Sequence, residues 1–296
     1  MGKYVLSTCS TVDLSVERLA ERKVSWKHFH YFMDEKEYLD DMFSESMSMK
    51  DFYDSMVKGA MTRTSQINTA EYCEYFEELF NQYDEIVHVT LSSGLSGSFN
   101  SARIAVEMLK EKHPNKTVYL IDSLCASGGH GLLVELLADK RDEGVSAKEL
   151  YEYGEKIKLN VRLDLYSTDL TFYVRGGRVS KVAGLVGNIL KICPVLDVNN
   201  EGKLVVRKKA HGKVKAAEEL LETMTANALN GVDYNGRCII CHSNCLVEAK
   251  RLIGMIEGRF ENLKGKIDLY PIGPTIGSHS GPGTIALFYV GNERGE

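Results

Sequence analysis

The sequence predicts an α/β protein of two α/β domains. Three observations support this. Short apolar runs alternate with longer amphipathic segments along the chain. Helix-start signals such as Asn68 and Ser146 stand between them. The 296 residues, 44% hydrophobic, suffice for one large or two medium cores.

Val5-Leu6 opens the first strand, and Phe29 to Phe32 with Asp34-Glu35-Lys36 reads as a strand and turn. Ser48 precedes a helix bearing Phe52, Met56 and Val57, with Asp51 as its capping-box partner. Asn68 or Thr69 caps a second helix with Tyr72, Phe76, Leu79 and Tyr83 on one face. Ile86 to Leu91 is a buried strand that runs into Ser92-Ser93-Gly94-Leu95-Ser96-Gly97-Ser98, then a helix to about Lys112. Val118 to Ile121 is a further strand, and another helix begins near Ser127. Ser146-Ala147-Lys148-Glu149 is a capping box for a helix reaching about Asn160. The expected boundary follows it, giving domains 1–160 and 161–296.

In the second half, Val195 to Val198 and Leu204 to Val206 flank Asn199-Asn200-Glu201-Gly202, a hairpin turn. Lys213 to Leu229 is an amphipathic helix. Cys238 to Cys241, Ile267 to Tyr270 and Ile285 to Val290 read as strands, and 246–260 as a helix.

The 36 basic against 41 acidic residues, net −5, argue against a general nucleic-acid binder. No run approaches the roughly 18 apolar residues of a membrane span, so no integral membrane segment is expected. The N-terminus breaks into Ser7, Thr8 and Ser10 too soon for a secretory signal. Seven scattered cysteines then read as reduced thiols of a cytoplasmic protein.

Four segments carry chemistry. The serine/glycine turn 92–98 lies between a strand and a helix, where free N–H groups bind anions, although Ser and Gly are equally at home in a plain helix-capping turn. It is neither a nucleophile elbow nor a P-loop. The glycine- and proline-rich segment Ile272 to Thr284 holds His279 in what reads as an accessible loop, either as a donor to an anion or as a structural histidine. Arg63-Thr64-Ser65-Gln66 is a polar loop between helices. Arg175-Gly176-Gly177-Arg178 is either a phosphate or partner clamp or a solvated tight turn. Cys238-Ile239-Ile240-Cys241-His242 imitates a haem or zinc motif. On a strand, however, residues three apart face opposite sides, so no metal site is expected.

Taken together, these segments resemble the DegV family of fatty-acid-binding proteins, the substrate-carrying subunits of bacterial fatty acid kinase. The resemblance runs nearly end to end. It covers Ser10-Thr11-Val12-Asp13-Leu14, Thr64-Ser65-Gln66, the turn 92–97, Asp122-Ser123, Val174 to Ser180, Leu190 to Leu196 and Gly277 to Gly283. Cys9 stands where the family usually has an aspartate, and His211 where it often has an arginine.

The resemblance implies a parallel-sheet N-terminal domain and a mixed-sheet C-terminal domain, with one long-chain fatty acid bound near their interface and no other cofactor. It implies carboxylate binding by Thr64, Ser93 and His279, with Ser65, Gly94, Ser96 and Gly281 shaping the loops. It also implies docking of a fatty acid kinase subunit through Arg175, Arg178 and His211. That subunit would make the acyl phosphate, so this chain is expected to be a carrier rather than an enzyme. The residues alone leave two other readings open: a small-molecule enzyme using Ser93 and His279, or a module that senses a lipid or metabolite.

Overall fold

The computed structural model describes residues 4–180 and 192–295. Met1 to Lys3, and Leu190 and Lys191 of the segment ending at Leu196, lie outside the described residues. The first half of the chain contains β1 (Tyr4–Cys9), α1 (Val16–Glu21), β2 (Ser25–Lys27), β3 (His30–Met33), β4 (Lys36–Leu39), α2 (Met49–Val57), β5 (Thr62–Ser65), α3 (Thr69–Phe80), β6 (Glu85–Thr90), α4 (Ser98–Lys112), β7 (Thr117–Asp122), α5 (Gly128–Asp142) and α6 (Ala147–Ile157). The second half contains β8 (Val161–Tyr166), α7 (Thr171–Arg175), β9 (Ile192–Val198), β10 (Leu204–His211), α8 (Lys213–Asn227), β11 (Cys238–His242), α9 (Leu246–Arg259), β12 (Ile267–Pro271), α10 (Pro274–Ser280) and β13 (Ile285–Val290).

Helix starts follow the sequence. Asn68 with Glu71, and Ser146 with Glu149, form complete capping boxes, and Ser48 accepts the Asp51 N–H. The N-terminal sheet is parallel, in the order β2-β1-β6-β7. The second sheet has the order β10-β9-β8-β13-β11-β12, antiparallel except for its β11–β12 pair. It begins at Val161, directly after a short 3-10 turn over Lys158–Asn160.

A helix shared by both sheets ties them together. α5 packs against β1 and β6 on one side and against β8, β11 and β13 on the other. One hydrophobic cluster therefore runs from Leu6 and Val87 through Leu133 and Leu137 to Leu163 and Phe288. A helix buried on most sides needs apolar or small residues all round. Gly128, Gly129 and Gly131 let Phe288, Cys125 and the Val12 carbonyl approach its backbone. The outer face of the parallel sheet is covered by α3 and α4, that of the mixed sheet by α8 and α9.

Two segments differ from the sequence reading. Residues 62–65, expected to be loop, form β5, which joins β3 and β4 in a separate three-stranded antiparallel sheet. Four polar residues carry no visible alternation, and pairing with β3 makes the strand. Residues 274–280, also expected to be loop, form α10. Pro274 fits its first turn, and Gly281 at φ 68° ends it. Cys238 and Cys241 do face opposite sides of β11, each in a different core cluster.

A methyl group on Gly129 would lie 2.3 Å from Cys125 Sγ and 2.9 Å from the Phe288 ring. Gly129→Ala is expected to cost about 1–3 kcal/mol by overpacking, read as a lower urea midpoint at constant slope. A second expectation concerns acid. Burial pushes His88 down to about 3 and His130 down to about 4. Both values lie below the roughly 6.5 of an unfolded imidazole, so the unfolded chain takes up these protons first. Their contribution is complete above about pH 6.5 and is lost as pH falls towards those values. Asp164, pushed up to about 6 by burial, acts in the opposite sense over part of that range. Comparing His130→Gln with the parent chain isolates the histidine. The fall in stability from about pH 7 to about pH 5 should be smaller in the variant.

Candidate functional site

A cavity of about 370 Å³ lies between the two halves of the chain. Its apolar wall combines Leu91, Leu95 and Ala126 from the first half with Leu163, Ala286 and Phe288 from the second. Thr64, Gln66, Ser96, Arg178 and His279 supply polar lining. A second, polar recess of about 530 Å³ shares Thr64, Arg178 and His279 with it, so these three stand at the boundary between the two spaces. An apolar chamber with a few convergent polar groups, inside the range of about 300–1,000 Å³, is the usual form of a small-molecule site.

Thr64 lies on β5 and His279 on α10, 215 positions apart, and Thr64 Oγ1 is 2.7 Å from His279 Nε2. Buried groups from the first half hold α10 in place. Asp13 Oδ1 accepts the Gly273 N–H at 2.9 Å, and Asp40 Oδ2 accepts the Thr275 N–H at 3.3 Å. Tyr53 donates to the Ile272 carbonyl at 2.8 Å. Burial raises the pKa of both carboxyls above the usual range. Further along the helix, the Thr62 hydroxyl donates to the Ser278 carbonyl at 3.3 Å.

The electrostatics of the pair follow from Arg178. Its Nη1 lies 3.5 Å from His279 Nδ1. A guanidinium only donates, so Nδ1 is the acceptor and the ring proton is assigned to Nε2. Nε2–H then donates to Thr64 Oγ1, which leaves the threonine proton free for an acceptor in the cavity. Burial first, and the Arg178 charge second, push His279 down to about 3. The imidazole is therefore neutral near pH 7, and the Arg178 guanidinium beside it carries the charge.

The serine turn separates the two serines singled out from the sequence. The Leu95 and Ser96 N–H groups both donate to the Ser92 carbonyl, folding the chain back after β6. Ser96 thereby lines the cavity. Its Oγ accepts the Ser98 N–H at 3.2 Å and keeps its own proton for a ligand. Ser93, expected to bind the carboxylate, is exposed, does not line the cavity and gives its N–H to Asp122. The fold-back thus turns Ser96, and not Ser93, towards the cavity. The pairing of Ser93 with His279 that an enzyme reading needs is not formed: His279 has Thr64 and Arg178 as partners.

Other expected residues fall in several places. Ser65 does not line the cavity, as its neighbour Thr64 does and successive strand residues face opposite ways. Gly94 approaches the backbone of Glu201 and Gly202 so closely that a Cβ there would lie 2.4 Å from the Glu201 carbonyl oxygen. Gly281 turns the chain against Phe172. Arg175 is exposed in the outer recess, its Nη1 3.4 Å from Met61 Sδ. His211 is exposed at the end of the edge strand β10. Arg178, expected at a docking surface, is half-buried beside the histidine and also donates from Nε to the Leu95 carbonyl at 3.2 Å. The sequence offered no signal for that inward turn. Gln66 is also in the lining, and its Nε2 donates to Ser101 Oγ at 3.0 Å. Among the described residues no cluster of three metal-ligating side chains occurs, and no helix is long and apolar enough to cross a membrane.

The chain has counterparts among known proteins. The profile of the DegV family, described as uncharacterised protein, DegV family, matches residues 4–292. A DegV domain-containing protein of Clostridium perfringens, CPE0026, is 35% identical over 295 residues, covering 99% of both chains. The crystal structure of DegV, a fatty acid binding protein from Bacillus subtilis, superposes with a TM-score of 0.84 at 25% identity, covering 99% of this chain and 100% of that one. The fatty acid kinase (Fak) B3 protein of Streptococcus pneumoniae, solved loaded with linoleic acid, shares the fold with a TM-score of 0.81 at 23% identity, covering 98% and 99%. With the sequence match spanning almost every residue and the fold agreeing, the chain belongs to the DegV family.

Proposed function

We propose that this chain binds one long-chain fatty acid, tail in the apolar chamber and carboxylate at Thr64, Ser96, His279 and Arg178, and presents it to a separate ATP-dependent kinase subunit. The chain is a carrier and does not itself catalyse the phosphorylation. The observation that carries this reading is the Thr64–His279 pair at the polar boundary of a largely apolar cavity. A carboxylate leaving water needs charge-assisted partners. Two hydroxyl protons and a nearby guanidinium supply them. The tail needs only dry, apolar walls, each buried methylene contributing about 0.8 kcal/mol.

The names of the Bacillus subtilis and Streptococcus pneumoniae proteins support fatty acid as the ligand class. The kinase part rests on the likeness to the second and on the outer recess. There Arg175 stands exposed beside the head-group residues, accessible to a partner. His211, on the far edge strand, is proposed only as a peripheral docking residue.

Native mass spectrometry of the purified chain should show one fatty acid per protein, or uptake of one added oleate. A chain that stays empty with oleate in excess would count against the reading. His279→Ala should weaken oleate binding by about ten- to a hundredfold, because Thr64 loses the donor that turns its hydroxyl proton towards the carboxylate, and a hydrogen bond to a charged group is of that scale. Isothermal titration reads this, and circular dichroism checks that the fold is kept. Ser93→Ala should leave oleate affinity unchanged, and an equal loss in the two variants would return the head group to Ser93.

A further inference from the structure

The turn joining β9 and β10 is interlocked with the serine turn. Ser92 is fully buried, its Oγ donating to the Gly202 carbonyl at 2.8 Å while accepting the Gly94 N–H at 3.1 Å. Two glycines face each other across the contact. A Cβ on Gly94 would lie 2.7 Å from Gly202 C, and one on Gly202 would lie 2.0 Å from Ser92 Oγ. Arg294, 5% exposed, closes the contact from behind. Its Nη1 donates to the Leu124 carbonyl at 3.0 Å and to the Asn199 carbonyl at 3.3 Å, and its Nη2 to the Lys158 carbonyl at 3.3 Å. A buried guanidinium thus joins the first half of the chain to the turn 199–202.

None of Ser92, Gly94, Gly202 and Arg294 lines the cavity. Ser96 and Leu95, on the same serine turn, do, and so does Leu204, just after the other turn. We propose that Ser92 and Arg294 are positioning residues for the acyl site, holding the turn 199–202 against the serine turn and so setting Ser96 and Leu204 in the cavity wall. This inference rests on the acyl-carrier reading.

The test is a mutant cycle on the full chain, with oleate and the neutral oleyl alcohol as probes. Ser92→Ala and Arg294→Gln should each weaken oleate binding about tenfold, and the preference for oleate over oleyl alcohol should shrink, because the Ser96 donor moves. Since both act through one contact, the double variant should lose little more than the worse single variant. Arg294→Lys, which keeps a donor for the same carbonyls, should recover part of the loss. If Arg294→Gln fails to fold, Gly94→Ala takes its place, pushing the turns apart from the other side. Unchanged oleate affinity in the single variants would overturn the inference. So would losses that multiply in the double variant, or equal losses for oleate and oleyl alcohol. A parent chain that takes up neither probe would instead overturn the acyl reading, and this inference with it.

Discussion

The two sheets share one helix, and most of the molecule follows from that. With α5 buried between β1 and β6 on one side and β8, β11 and β13 on the other, the halves cannot be separated without exposing a continuous apolar face. Close-packed interiors tolerate little change in volume, so the three glycines of α5 set the spacing of the sheets. The cavity lies where the walls of both halves meet. Glu135 on the same helix, 3% exposed, pairs with Arg18 of α1 and lies 3.6 Å from Arg237, which precedes β11. This buried charge is compensated from both halves, as it must be if ionised.

The polar end of the cavity is a problem in polarity solved by orientation. Arg178 fixes which nitrogen of His279 holds the proton, and that in turn frees the threonine proton for a ligand. A neutral histidine serves better here than a charged one, because a second cation beside Arg178 would have to be neutralised whenever the cavity is empty. Burial keeps the ring neutral and so keeps the donor pattern constant over a wide range of pH.

Much of this was legible in the sequence, but unevenly. The capping boxes at Asn68 and Ser146, the buried strand before the serine turn and the strand carrying Cys238 and Cys241 follow from local rules, and they recur in the structure. β5 and α10 do not. A polar four-residue strand becomes one only by pairing with β3, and a helix with three of its seven residues Gly, Pro or Thr is held by groups hundreds of positions away. His279 and the polar cluster holding Thr64 stood out in the sequence and the family resemblance joined them into one site, but their contact depends on those two elements. Ser93 and Ser96 are equivalent by composition, and only the backbone fold-back distinguishes them. Arg178 reads as a surface charge until its turn is placed against His279.

The distance along the chain between Thr64 and His279 also matters during synthesis. The helix carrying the histidine takes its anchors from Asp13, Asp40 and Tyr53, residues made long before it. A chain still on the ribosome therefore has most of the apolar wall before it has the Thr64–His279 pair. At about 5–20 residues per second, the 215 positions between Thr64 and His279 take many seconds to make, and on the proposed reading an acyl carboxylate has no completed site in that interval. A ligand that binds only the finished fold stabilises only the finished fold. On the proposed acyl-carrier reading, a ligand that needs both residues stabilises only chains made through His279, because the pair joins positions 215 apart.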